Sequence, residues 1–198
     1  RKLVKNNNLL YTSHTMKKTY IILIAVVAVG ILYSWSTYNR LVSGSETVTT
    51  LWAQVETQYQ RRFDLIPNLV ASVQGTLKQE QKIFGDLAEA RAKYSGATGV
   101  DARAQAAGQV ESALSRLLVI VENYPQLRSS ATVEILMAQL EGTENRISVE
   151  RKRFNDGIRD YNLVIKRFPS SVIARLGGFD ARAYFEAAEE ASNAPKVD

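Results

Sequence analysis

The chain has 198 residues, 45% of them hydrophobic, and no cysteine. That allows one globular domain plus an appendage, and it excludes disulfides, thiol catalysis and thiolate metal sites. The formal charge of +5 sits at one end: residues 1–43 carry six basic side chains and no acid, and the remainder holds 19 basic against 20 acidic residues. A near-neutral remainder lacks the basic face that nucleic acid requires, so no nucleic-acid partner is expected.

Residues 1–15 contain the polar run Asn6-Asn7-Asn8, and Met16-Lys17-Lys18 before an apolar run has the form of a bacterial start. Residues 1–18 are therefore expected to be a disordered basic tail, with 1–15 an upstream extension. From Thr19 to Tyr38 the sequence TYIILIAVVAVGILYSWSTY carries no charge. Twenty helical residues span about 30 Å, the thickness of a bilayer core. Tyr20 at one end and Tyr33, Trp35 and Tyr38 at the other stand where aromatic belts form. A cleaved signal peptide is the rival reading, but no A-x-A-like site follows the run, and a single uncleaved membrane anchor is favoured. Lys17 and Lys18 precede the span and only Arg40 follows closely, which places the N-terminus in the cytoplasm and the following domain outside. The address expected is the bacterial inner membrane, with the domain on its periplasmic side.

Residues 39–47 read as a juxtamembrane connector, and the bundle is expected over 48–190, with a flexible tail at 191–198. Alternating steps of four and three residues from Val48 give Trp52, Val55, Tyr59, Arg62, Ile66, Leu69, Val73, Thr76, Glu80, Ile83, Leu87, Ala90 and Tyr94. This 3.5-residue repeat predicts one long helix, ended by Ser95-Gly96. Asp101 is the expected N-cap of the next helix, whose seam is Ala107, Val110, Leu114, Leu117, Val121 and Tyr124 before Pro125. A third helix starts near Ser130. Its seam runs Val133, Met137, Leu140, Glu144, Ile147, Arg151, Phe154, Ile158, Tyr161, Ile165 and Phe168, and Pro169 closes it. A short helix is expected around Ala181–Ala191. With no alternating Val/Thr-rich run, the expectation is all-α: a transmembrane helix followed by a long-helix antiparallel bundle.

The stretch Arg61-Arg62-Phe63-Asp64-Leu65-Ile66-Pro67-Asn68-Leu69-Val70 places two cations, an anion and a proline within the first seam. A mid-helix proline costs about 3 kcal/mol if uncompensated. The seam holds its phase across Pro67, which favours a continuous, bent helix over a new cap at Asp64. Arg62, Glu80, Glu144 and Arg151 fall on core positions, so they are expected to pair with one another or with neighbours such as Asn155. The interaction candidates are thus Arg61, Arg62, Asp64, Pro67, Asn68, Glu80, Glu144, Arg151 and Asn155. The only histidine, His14, lies before the membrane span, and no nucleophile pair or phosphate loop occurs. No enzyme, cofactor or metal is expected. Glu141 with Glu144, and Glu186 with Glu189 and Glu190, read as solvated helix faces.

Tyr38-Asn39-Arg40-Leu41-Val42, Trp52, Gln54 and the 61–70 string resemble the LemA family. So do Glu80, Ala90-Arg91-Ala92, Glu122-Asn123-Tyr124-Pro125 with Leu127, and Thr143-Glu144-Asn145-Arg146-Ile147. Arg151, Phe154-Asn155, Tyr161-Asn162 and Phe168-Pro169 continue the match, which covers about residues 38–185. The resemblance implies a bacterial protein with one N-terminal membrane helix and a bundle of the bromodomain-like four-helix class. It implies no molecular function, and the family's expected extracellular N-terminus opposes the lysine argument. Two functions fit these features. One is a membrane-anchored scaffold or adaptor that engages protein partners or self-assembles, since three strict seams exceed what a small monomer needs. The other is a membrane-tethered sensor that binds a small ligand in the bundle core and signals through the Pro67 bend; a small-molecule partner is the less favoured expectation.

Overall fold

One helix, α1 (Asn7–Val73), contains both the apolar run and the first half of the first seam. The computed structural model describes residues 7–185, and their side chains from residue 19 onward. Residues 186–198, including most of the expected helix at 181–191 and the expected tail, lie outside the described residues. Further along come α2 (Gln81–Gly96), α3 (Val100–Glu122), the single turn α4 (Pro125–Arg128), α5 (Ala131–Lys166) and α6 (Ser170–Leu176). No strand occurs among the described residues, and the all-α class holds.

The chain divides into two compact units. The first takes α1 up to Ser45 and residues 161–181. Within it, Ile21, Ile22, Leu23, Ile24, Val26, Val27, Val29, Ile31 and Leu32 are each 54–67% exposed. That exposure distinguishes the span from the buried core helix of a soluble protein, and by length and composition it is apt to cross a membrane. Further along α1, Thr37 and Leu41 are buried, and Tyr38 meets Phe179 edge-on at 5.5 Å. Gly44 approaches Tyr161 so closely that an added Cβ would lie 3.1 Å from the ring, which explains a glycine inside a helix. The Ser170 hydroxyl donates to the carbonyls of Val164 (2.6 Å) and Arg167 (2.8 Å), the first a carbonyl in the last turn of α5 and the second one that also accepts the Ser171 N–H. Phe168-Pro169 is a cis peptide.

The second unit takes residues 46–160 and 182 onward. Here α1 and α5 run antiparallel. Gly157 faces Val48 and Leu51, Trp52 packs on Phe154 at 5.3 Å, Tyr59 meets Arg151, and Arg62 meets Glu144. Helix α3 runs parallel to α1, because Glu56 pairs with Arg103 and Arg62 with Glu111. Helix α2 doubles back, so that Tyr94 lies 4.7 Å from Phe63 and 6.1 Å from Tyr59, ring to ring. The seam residues Val48, Trp52, Val55, Tyr59, Arg62, Ile66, Leu69 and Val73 are all buried, as are Ala107, Val110, Leu114, Leu117, Val121, Val133, Leu140, Ile147, Phe154 and Ile158. These residues of the seams are thus covered within the bundle itself, while Met137 of the third seam is only partly buried.

Several expectations need correction. The first seam is two helices, not one, because the chain reverses between Val73 and Gln81. The seven residues 74–80 make a full heptad, so the repeat crosses the reversal in step and conceals it. Gly75 and a polar run weaken the helix there, and Leu77 is buried in the turn while Thr76 is exposed. The expected 39–47 connector is helical, and so is the backbone from Asn7 through the stretch expected to be disordered. The N-cap of α3 is Gly99 at φ 85°, a conformation that favours glycine, and Asp101 sits in the first turn. Phe168 is 85% exposed. Residues 181–185 are not helical. Helix α1 does run through Pro67 unbroken. Pro125 opens α4 at its first position, where the missing N–H costs nothing.

The reversal is tested by two neighbouring substitutions. Leu77→Ala is expected to cost about 2–5 kcal/mol in urea unfolding of the chain, as for a buried leucine. Thr76→Ala, on the seam by count but exposed in the turn, is expected within about 0.5 kcal/mol of native. Equal costs at both positions would restore the single long helix.

Candidate functional site

Three helices bring a closed set of charges together in the second unit. Arg62 enters from α1 and is 4% exposed. Its Nη1 pairs with Glu144 of α5 and, at 3.5 Å, with Glu111 of α3. Arg151 of α5 reaches the same Glu111 with Nη2, 2.6 Å from each carboxylate oxygen. Arg151 also donates to the Tyr59 hydroxyl from Nε (3.0 Å) and Nη2 (2.5 Å). Two guanidinium groups therefore face two carboxylates, and the layer carries no net charge.

The surroundings fix its protonation. Burial holds the Tyr59 phenol well above its usual range, and the adjacent Glu111 charge raises it further, so Tyr59 is a neutral hydroxyl that accepts from Arg151. Burial works against the Arg151 charge, but the bonds to Glu111 and Tyr59 outweigh it and hold the guanidinium above its ordinary value. Next to the layer, Arg103 donates to Glu56, which keeps its guanidinium firmly charged, and Arg103 Nε also donates to the Ala97 carbonyl at 3.1 Å. Burial, then Glu56, raises the Tyr94 phenol. Arg62 Nε and Gln58 Oε1 are buried without partners, a donor and an acceptor one turn apart on α1.

Of the sequence candidates, the structure brings Arg62, Glu144 and Arg151 together. Glu80 is elsewhere: it is the half-exposed N-cap residue of α2 and joins no ion pair in the layer. Asn155 binds no charge. Its Nδ2 donates to the Phe185 carbonyl (3.0 Å), and the Phe185 N–H donates to its Oδ1 (2.8 Å). Arg61, Asp64, Pro67 and Asn68 are exposed, with Gln60 donating to Asp64 Oδ1 at 2.7 Å and the Asn68 carbonyl accepting from Ser72. Three participants escaped the sequence reading. Glu111 flanks a seam, Phe185 lies in a stretch whose pattern suggests helix, and Tyr59 stands on its seam as an apolar position. Glu111 directly follows the seam residue Val110, and that flank position was the one available signal.

Beside the layer lies an open groove of about 1220 Å³, bordered by Glu89, Lys93, Asp101, Arg116, Phe154 and Phe185. Its charges are mixed, so no single ion type is selected.

Residues 51–198 match the LemA family. Among curated proteins the chain is 28% identical to magnetosome proteins MamQ 1 and MamQ 2 of Paramagnetospirillum magneticum and 29% identical to magnetosome protein MamQ of Magnetospirillum gryphiswaldense. Each alignment takes in 75% of this chain and 64% of the relative, so the chain spans somewhat under two thirds of the relatives it matches.

The geometry makes Glu111 the shared anion, and its loss is expected to cost most. Glu111→Ala strands Arg151 and is expected to destabilise by about 3–5 kcal/mol in chemical unfolding. Arg62→Met leaves Glu111 paired with Arg151 and Glu144 with its side chain 46% exposed, so its cost is expected to be smaller. The reverse ranking would show that Arg62 holds the layer.

Proposed function

The chain belongs to the LemA family, and from that premise we propose that it is a membrane-anchored helical scaffold or adaptor that engages protein partners through the bundle surface. The observation that carries this reading is the self-contained charge layer. Arg62, Arg151, Glu111 and Glu144 neutralise one another, so the polar centre of the bundle is committed to structure. What remains for recognition is the surface, including the groove beside α2 and α3. The curated relatives are named for a structure, the magnetosome, and not for a reaction, which supports the same reading. The reading makes the protein no enzyme, places it in the bacterial inner membrane by a single span, and puts the bundle on the periplasmic side.

A second reading is favoured by one feature: α1 is a single helix that contains both the apolar span and Arg62. A ligand that altered the charge layer would act on the same helix that enters the membrane, as a sensor requires.

A photo-crosslinking residue at the exposed Asn68 of the full chain is expected to capture discrete protein partners in cells. Capture of none, together with ligand-dependent thermal shifts that vanish in Glu144→Gln, would replace the adaptor by the sensor. Orientation is checked separately, since the chain lacks cysteine. A Ser43→Cys chain is expected to react with membrane-impermeant thiol reagent added from outside, and labelling only by permeant reagent would place the bundle in the cytoplasm.

A further inference from the structure

The segment Ala183–Phe185 is not part of any helix, yet it is held by contacts of a kind used to bind peptides. Asn155 makes a reciprocal pair of hydrogen bonds with the backbone N–H and C=O of one residue, Phe185, at 2.8 and 3.0 Å. A side-chain amide placed this way reads extended backbone without reading sequence, as a neighbouring strand would. The Phe185 ring supplies the specificity. It stacks on Trp52 at 6.5 Å with the planes 28° apart, and the Arg151 guanidinium lies 4.7 Å from its centroid. Trp52 in turn packs on Phe154, and both are buried. The pocket thus combines a backbone clamp, an aromatic wall and a cation over the ring face. It opens onto the groove along α2 and α3, whose border includes Tyr184 and Phe185 themselves.

We propose that the pocket formed by Trp52, Arg151, Phe154 and Asn155 is a recognition site for an extended peptide segment of a partner protein carrying an aromatic side chain, and that residues 183–185 are its resident, displaceable occupant. The proposal rests on the adaptor reading for the source of the peptide, and on the pocket's own chemistry for its class. Both polar groups of Asn155 are used on the backbone and none on a side chain, so the only side-chain requirement is a flat ring. A tethered occupant competes at an effective concentration in the millimolar range, which lowers the apparent affinity for any incoming peptide. A partner therefore binds well only when it brings further contacts along the groove or when the resident segment is released.

The test uses the full chain in detergent, carrying Trp35→Phe so that Trp52 is its only tryptophan. The probe is a fluorescent peptide with the sequence of residues 182–186, followed by anisotropy. The Phe185→Ala chain is expected to bind it at least tenfold more tightly than the Phe185 chain. Adding Asn155→Ala, or replacing the peptide's phenylalanine by alanine, is expected to remove that gain. Equal binding by the two chains, binding indifferent to Asn155, or no binding by either would overturn the proposal. Should Phe185→Ala lose helical circular dichroism, the Trp52 emission of the Phe185 chain is titrated with peptide, where a saturable change supports the site and none overturns it. A Phe185 chain that dimerises, and becomes monomeric on Phe185→Ala, would assign the occupant to a second copy and overturn the partner reading. Partners captured by crosslinking alongside a failed peptide titration would leave the adaptor standing and refute this pocket.

Discussion

The bundle depends on one carboxylate shared by two arginines. Glu111 projects from α3 toward both Arg62 of α1 and Arg151 of α5, so three helices meet at a single residue. Hydrophobic seams tolerate sliding by a turn, because one leucine packs much like the next. The buried Arg62 guanidinium and the partly buried Glu111 do not, because an unpaired charge away from water costs several kcal/mol. The layer therefore selects one register among those that the apolar residues would permit. The parallel offset of α1 and α3 and the antiparallel offset of α1 and α5 follow from it, and Tyr59 completes the set as a neutral acceptor for Arg151.

Much of this was legible in the sequence because helix periodicity is a local property. The seams at Val48–Val73 and Ala107–Val121 are buried as counted, the one at Val133–Ile158 is buried apart from the partly exposed Met137, Glu144 and Arg151, and the charges Arg62, Glu144 and Arg151 stand out by interrupting these lines. What the count could not supply was direction. A loop of seven residues preserves the phase of a 3.5-residue repeat, so the reversal at 74–80 looked like more helix. Thr76 and Glu80, polar on an apolar line, are its trace in the sequence, although the phase of the repeat places Glu80 in the core. Glu111 escaped for the complementary reason. It flanks its seam, where a charge ordinarily faces water, and only the approach of two other helices makes that flank interior. Whether a position is buried there depends on three chains of residues far apart in sequence.

The aromatic cluster obeys a different logic. Trp52 and Phe154 were visible as seam residues, but Phe185 lies in a region whose composition suggested helix. Its conformation is set by tertiary contacts: the Asn155 clamp satisfies its backbone outside any regular element, and the ring contacts offset the cost of ordering it. An asparagine in mid-helix has low helix propensity, and its use on another segment's backbone explains why one sits on α5.

Arg151 joins these two systems. The same guanidinium holds Glu111 and Tyr59 on one side and lies near the face of Phe185 on the other. Removing the ring from its face would return one side of Arg151 to water while leaving its hydrogen bonds to Glu111 and Tyr59 in place, so the layer keeps its register whether or not the pocket is filled. On the proposed reading the two tasks are separate: the paired charges fix the bundle, and the clamp beside them would exchange occupants without unfolding it. Coupling between the two is then limited to the difference in Arg151 solvation between the filled and empty pocket. That difference is smaller than the cost of breaking a buried ion pair. Such exchange would leave the bundle intact because Arg151, the group nearest the ring, is already held by four hydrogen bonds that do not involve it.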